Sequence, residues 1–208
     1  MSLICPTVTA TEPAQYATQI DHLKSFAKRI HIDSTDGIFV PSKLVDVEHI
    51  SWPEGMLADI HMMHKHPSEH LATLISLKPH LVIVHAEAAG DFLGFAEQLH
   101  KADIKVGVAM LPTTKPEVLR PALEYIDHVL IFSGHLGHFG GHADMDLLTK
   151  AQACKHLKAE LEIGWDGGIN ESNVHILAAG GVDVLNVGGF IQNASDPADA
   201  YATLVGKL

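Results

Sequence analysis

The chain has 208 residues, a 47% hydrophobic fraction and 25 acidic against 14 basic side chains, for a formal net charge of -11. The apolar fraction supports a packed core in one domain spanning residues 1–208, and the acidic balance disfavours nonspecific binding to nucleic acid or to an anionic membrane surface. An anionic small substrate stays open, because backbone amides can bind phosphate without any lysine.

The opening segment Met1–Pro6 has no basic region and no long apolar run, so no signal peptide is expected and a cytoplasmic location is. No apolar stretch has the length of a membrane span. The two cysteines, Cys5 and Cys154, are far apart and in no metal-type spacing, and read as free thiols.

In chain order, short β-rich apolar runs fall at Leu3–Cys5, Arg29–Ile32, Met56–Ile60, Leu81–Val84, Lys105–Met110, His128–Phe132, Leu161–Trp165 and Val184–Val187. Helical periodicity fills the intervals. It covers Glu12–Lys28, a segment opened by Ser68 as N-cap with Leu71, Leu74 and Ile75 on one face, then Asp91–Lys101, Pro116–Tyr125, Met145–Lys158, Asn170–Ala179 and Asp196–Val205. Asp46–Ile50 is a weak helix at best. Continuous apolar strands alternating with helices argue for a parallel sheet covered by helices. Eight such units give the expectation of a single-domain (β/α)8 TIM barrel, with an open doubly wound sheet as the alternative. A Gly-x-Gly-x-x-Gly turn after the first strand is missing, which weakens the dinucleotide-binding version.

In such barrels the site gathers at the C-terminal ends of the strands. His31 and Asp33 are two apart on a strand and so share a face. His61 ends the third run and Asp166 the seventh, while the fourth ends in His85-Ala86-Glu87. His31, Asp33, His61 and Asp166 make a two-imidazole, two-carboxylate set suited to zinc, iron(II), manganese or cobalt. The glycine turns Gly167-Gly168 and Gly188-Gly189 follow strands seven and eight, the usual place of a phosphate cradle. The irregular stretch Ser133–His142 is expected to form a lid.

Nearly end to end, the chain resembles the ribulose-phosphate 3-epimerase family, within the ribulose-phosphate-binding barrels. His31-Ile32-Asp33-Ser34-Thr35-Asp36-Gly37-Ile38-Phe39-Val40-Pro41 is similar to the family's His-Val-Asp-Val-Met-Asp-Gly-x-Phe-Val-Pro. Asp59-Ile60-His61-Met62-Met63 resembles Asp-Val-His-Leu-Met, His85-Ala86-Glu87 resembles His-x-Glu, and Trp165-Asp166-Gly167-Gly168-Ile169 resembles Val-Asp-Gly-Gly-Ile. The resemblance implies a divalent metal on His31, Asp33, His61 and Asp166, zinc first. It implies Asp33 and Asp166 as the acid/base pair inverting C3 of a ketose phosphate through an enediolate, with D-ribulose 5-phosphate and D-xylulose 5-phosphate as the substrate pair. It assigns Gly140, Gly141, Gly167, Gly168, Gly188 and Gly189 to the phosphate side, and implies a homo-oligomer.

The departures fall on substrate-facing positions. Thr9 and Ala10 stand where the family has a polar Ser, Thr35 and Phe132 replace two cap methionines while Met63 remains, Leu111-Pro112 replaces Asn-Pro, and the lid carries His135, His138 and His142. These leave two alternatives: an epimerase of a hexulose phosphate such as allulose 6-phosphate, and a catalytically silent sugar-phosphate binder. Among the 16 histidines, His22, His70, His100, His156 and His175 are expected on solvated helix faces, and only His61 of the His61–His66 run is expected at the metal.

Overall fold

The computed structural model describes residues 2–134, 136 and 141–208. Eight parallel strands close into a barrel in sequence order, which excludes the open sheet. The strands are β1 (Leu3–Val8), β2 (Arg29–Thr35), β3 (Leu57–Met63), β4 (Leu81–His85), β5 (Lys105–Met110), β6 (His128–Phe132), β7 (Glu162–Asp166) and β8 (Val184–Val187). Helices α1 (Pro13–Leu23), α2 (Leu71–Leu77), α3 (Phe92–Lys101), α4 (Leu148–Leu157), α5 (Val174–Ala179), α6 (Gly189–Gln192) and α7 (Pro197–Val205) lie on the outside. Among the described residues no helix is long and apolar enough to cross a membrane.

Five strands run past the apolar runs that announced them: β1 to Val8, β2 to Thr35, β3 to Met63, β4 to His85 and β7 to Asp166. The β2–β3 register pairs Asp33 with His61 and Thr35 with Met63.

Several helices differ from expectation. α1 stops at Leu23, where the Ala27 N–H closes a turn on the Leu23 carbonyl at 2.9 Å and sends the chain into β2. Ser68 is not a cap: it lies inside the 3-10 turn Pro67–His70, and α2 starts from His70 with no side-chain cap bond. Pro116–Tyr125 is 3-10 rather than α, since Pro121 inside it has no N–H and its ring crowds the preceding turn. α5 begins at Val174 because the Asn170 side chain accepts from the Ser172 N–H at 2.9 Å, an Asx turn that competes with helix. Asp46–Ile50 yields a single 3-10 turn at Val47–His49. α3 and α7 are capped by side chains, Asp91 accepting from the Gly94 N–H and Asp196 from the Ala198 and Asp199 N–H groups.

The main core lies between barrel and helices and includes Ile30, Ile32, Ile60, Leu74, Phe95, Leu99 and Trp165. Inside the barrel, a smaller cluster of Leu81, Ile83, Ala109 and Leu130 fills the middle. Below it, Arg29 Nε donates to Asp59 at 2.7 Å, and its two terminal nitrogens donate to the two Glu162 oxygens at 2.8 Å each. His128 Nδ1 meets Glu162 at 2.8 Å. β2 and β7 are not neighbours in the ring, so this pair spans the lumen. Gly164 makes room for it: a Cβ there would run into the His128 ring. The floor is thus polar and held by the Arg29 ion pairs, with Asp59 Oδ1 and His128 Nε2 left without a partner among the described residues, and the open end above it is left for chemistry.

Candidate metal centre and active site

At the C-terminal end of the strands, His31, Asp33, His61 and Asp166 each bring a ligand atom within 4.8 Å of the others'. All four residues singled out from sequence therefore converge. They come from β2, β3 and β7, which the closure of the barrel brings round one rim. His61 Nδ1 lies 3.0 Å from Asp33 Oδ1. His31 Nε2 stands 3.3 Å from the same oxygen, an ion-pair distance without hydrogen-bond alignment. Both ring nitrogens of His31, fully buried, consequently lack a hydrogen-bond partner among the described residues. A buried imidazole with neither nitrogen satisfied is costly. A cation beside it removes that cost, and two nitrogens with two carboxylates are an ordinary donor set for a divalent ion. The residues fit such an ion.

The two carboxyls differ in charge state. Burial alone would raise Asp33, but the His31 and His61 rings outweigh it and hold this carboxyl well below the usual range. Burial and then the charge of Asp33 push Asp166 up to about 7. Burial holds His61 down at about 4 against the pull of Asp33. For His31, burial is outweighed by the Asp33 carboxylate, and its pKa is raised.

Several partners had no assigned role in the sequence. Thr9, just past β1, donates its hydroxyl to Asp33 Oδ2 at 2.8 Å. Its own backbone is clamped by Gln19, which accepts from the Thr9 N–H at 2.8 Å and donates to its carbonyl at 3.0 Å. The alternation Cys5, Thr7, Thr9 was the available signal. On the other side, His61 Nε2 meets His85 Nε2 at 2.9 Å, and His85 Nδ1 lies 3.4 Å from Glu87. Thr114 and the Leu111 N–H donate to Glu87, which helps hold that carboxyl at about 2 against burial.

Above this cluster opens a cavity of about 640 Å³, lined among others by Thr7, Asp33, Met63, Phe132, Asp166 and Asn186. Gly141, Gly167, Gly168, Gly188 and Gly189 line it too, while Gly140 lies outside the described residues. Gly168 has φ +70°, and a Cβ there would run into the backbone of His142 and Ala143. Of the altered positions, Thr9 and Phe132 line the cavity, beside the retained Met63. Thr35 does not: its hydroxyl donates to the Ser42 carbonyl at 2.7 Å and accepts from the Leu44 N–H at 2.8 Å, stapling its own loop. Ala10 is buried in the core, and the Leu111 carbonyl accepts from Lys150 at 2.7 Å. Half of the expected lid, including His135 and His138, lies outside the described residues, and His142 is exposed. His22, His100, His156 and His175 are exposed on their helices as expected. His70 is instead half-buried in a turn, bonded to Glu48 at 3.1 Å. His64 is buried on Ser34 at 3.0 Å, apart from the four-residue set.

An eight-stranded parallel barrel with a His/Asp cluster and a glycine-lined cavity at its C-terminal rim has the architecture of a TIM-barrel enzyme. Residues 3–192 match the model of the ribulose-phosphate 3 epimerase family, and the chain belongs to that family. Ribulose-phosphate 3-epimerase of Mycobacterium tuberculosis is 28% identical over 212 residues, covering 97% of this chain and 91% of that one. The Bacillus subtilis enzyme of the same name is 26% identical over 216 residues, covering 100% of both. Solved structures share the fold alone. One is 3-hexulose-6-phosphate synthase from Salmonella typhimurium, with a TM-score of 0.74, 18% identity and coverage of 100% of this chain and 98% of that one. Another is phosphoribosyl anthranilate isomerase from Thermus thermophilus, with a TM-score of 0.68, 14% identity and coverage of 98% of each. The chain is an epimerase of pentose-phosphate carbohydrate metabolism, an isomerase.

Proposed function

We propose that this chain is a divalent-metal-dependent epimerase inverting C3 of D-ribulose 5-phosphate to give D-xylulose 5-phosphate, with Asp33 and Asp166 as the acid/base pair. The observation that carries the reading is geometric: Asp33 from β2 and Asp166 from β7 are brought together with His31 and His61 into one cluster whose ligand atoms lie within 4.8 Å of one another. Inversion at a carbon next to a carbonyl needs a base on one side and a proton donor on the other. The two carboxyls reach the cluster from β2 and β7, on different sides of the lumen. Asp33 takes the C3 proton from one face, and Asp166 delivers its proton to the other. The reverse reaction exchanges the roles. A divalent ion held by His31, Asp33, His61 and Asp166, zinc first, would polarise the C2 carbonyl and stabilise the charge of the enediolate. Thr9 fixes the orientation of Asp33, and His85 that of His61. Phe132 and Met63 wall the cavity, and the Gly167-Gly168 and Gly188-Gly189 turns offer backbone N–H groups to the phosphate.

The test is proton NMR of ribulose 5-phosphate in D2O with the zinc-loaded protein. Loss of the C3 proton signal with growth of xylulose 5-phosphate is expected. Exchange seen only with allulose 6-phosphate would move the substrate to the hexulose, and binding without any exchange would leave a silent sugar-phosphate binder.

Metal uptake gives a second expected result. Binding requires His31 without its proton, and its pKa is raised in the metal-free cluster. Affinity for Zn²⁺ should therefore rise with pH, by about tenfold per unit while His31 is protonated, and flatten once it is neutral. At a free zinc concentration about a hundred times Kd, the ion adds about 2.7 kcal/mol of stability, or roughly 5–10 °C in Tm for a domain of this size. A chelator titration followed by calorimetry checks both, and a pH-independent affinity would remove His31 from the ligand set.

A further inference from the structure

Asn186 on β8 has a side chain that the fold leaves without an occupation. It is 2% exposed, and among the described residues neither its amide oxygen nor its amide nitrogen has a hydrogen-bond partner. An amide carries two donors and an acceptor, and native proteins leave such groups unpaired in their interiors only rarely. A structural asparagine would be bonded to backbone or to a neighbouring side chain. This one instead lines the cavity that holds Asp33 and Asp166.

Its position along the barrel narrows what it meets. In the β7–β8 register Asn186 is the partner of Asp166, and in the β8–β1 register it is the partner of Cys5. Two residues further on, the chain reaches the Gly188-Gly189 turn. The same wall carries other unfilled acceptors. The Thr7 hydroxyl and the Gln192 amide oxygen are buried without partners among the described residues, and Gln192 Nε2 is held by the Thr7 carbonyl at 3.1 Å. All three residues line the same cavity. The wall between the acid/base carboxyl and the glycine turn thus carries polar groups that have no partner among the described residues, which is the surface a substrate hydroxyl completes.

We propose that Asn186 is a specificity-determining residue that hydrogen-bonds the C4 hydroxyl of the ketose phosphate. The assignment to C4 rests on the proposed function above. With C3 at the Asp33–Asp166 pair and the phosphate at the glycine turns, C4 and C5 lie between them in a 5-phosphate, and C4 carries the one free hydroxyl, since the C5 oxygen is esterified. Asn186 stands beside Asp166 and below Gly188, along that span. Its amide can donate to the hydroxyl oxygen and accept the hydroxyl proton, so it reads a hydroxyl better than a methylene. A substrate without that hydroxyl leaves the amide buried and unsatisfied, and the penalty appears as discrimination.

The experiment compares kcat/KM for ribulose 5-phosphate with that for its 4-deoxy analogue, in zinc-loaded wild type and Asn186→Leu, with the 1-deoxy analogue as the control. Wild type should disfavour the 4-deoxy compound, and the variant should lose roughly tenfold to hundredfold of that preference. Its preference against the 1-deoxy compound should be unchanged. A melt of Asn186→Leu at or above that of wild type is expected, because an unpaired buried amide has been removed. Should that variant fail to fold, Asn186→Ser keeps a hydroxyl at the site, and its preference should fall between those of wild type and no discrimination. A folded variant with the wild-type preference against the 4-deoxy compound overturns the assignment, as does a change confined to the 1-deoxy ratio. Wild type inactive on every ketose 5-phosphate overturns the epimerase reading first and this one with it, so the two failures are distinguishable.

Discussion

Replacing Asp166 by Asn should lower the epimerisation rate by about 10²–10⁴-fold, the usual contribution of a positioned general acid or base. The more telling outcome lies in isotope exchange. Asn is close to Asp in shape, so the cavity wall and the Ser133 N–H bond to the residue 166 carbonyl at 2.7 Å are retained. What is lost is the proton carrier on the β7 side. The sugar epimer whose C3 proton faces Asp33 should still exchange that proton with D2O, because its base remains. Interconversion should stop, because nothing delivers a proton to the opposite face. Exchange without inversion, seen with one epimer only, is therefore the signature. Loss of exchange for both epimers would mean that a single group works both faces, or that Asp166 acts only as a ligand. The metal-free variant should also be less sensitive to pH than wild type. In wild type, Asp166 titrates near 7, far above the roughly 3.9 of an unfolded aspartate. A carboxyl raised in the folded state favours folding while protonated, and that contribution fades as pH rises from about 4 to about 7. The variant has no such loss, so its melting temperature relative to wild type should improve across this window.

The barrel was legible because its strands are buried on both faces and so read as apolar runs at regular intervals. The four cluster residues were legible for the opposite reason. His31, Asp33, His61 and Asp166 interrupt or end those runs, and a charged group at a strand end calls for a partner. What escaped was whatever depends on how separate elements meet. Thr9 looked like a substitution for a substrate-facing serine, and its bond to Asp33 follows from the height at which β1 stands against β2. Thr35 looked like part of the apolar cap, yet the Ser42 and Leu44 backbone claims its hydroxyl. Asn186 sits in Val184–Val187, where a periodicity reading sees only an apolar strand; its unpaired amide exists only once the barrel is closed. Helix ends were least legible, because Pro121 and the Asn170 side chain act through local backbone competition that periodicity does not register. Pairings across the lumen were also hidden. Arg29 and Glu162 are far apart in sequence and on strands that do not touch.

That last pair carries the largest expected effect on stability. Arg29→Met should destabilise the protein by about 3–5 kcal/mol, the usual cost of removing one member of a buried ion pair. Against a total of about 5–15 kcal/mol for a typical domain, this is a large share. At roughly 2–4 °C per kcal/mol for a domain of this length, Tm should fall by about 6–20 °C. The reason is what remains behind. Asp59 is fully buried and one of its oxygens already lacks a partner among the described residues, so loss of the Arg29 Nε bond strands the whole carboxylate. Glu162 keeps only His128. The acid limb of stability should change as well. Burial would raise the Glu162 carboxyl, but the Arg29 and His128 bonds outweigh it and hold the group well below the usual range. A depressed carboxyl stabilises the fold above its unfolded pKa of about 4.3, and that stabilisation is lost as pH falls through the folded value. Without Arg29 the depression shrinks, so the gap in Tm between wild type and Arg29→Met should narrow below about pH 4. Because these residues lie at the end of the barrel opposite the cluster, kcat of the folded variant should stay near that of wild type. Melts across pH 2–8 with a parallel activity assay decide it. A drop in kcat with an unchanged Tm would mean that the floor of the barrel serves the chemistry directly, with Arg29 acting on the cluster through His31, the next residue of β2 on the same face.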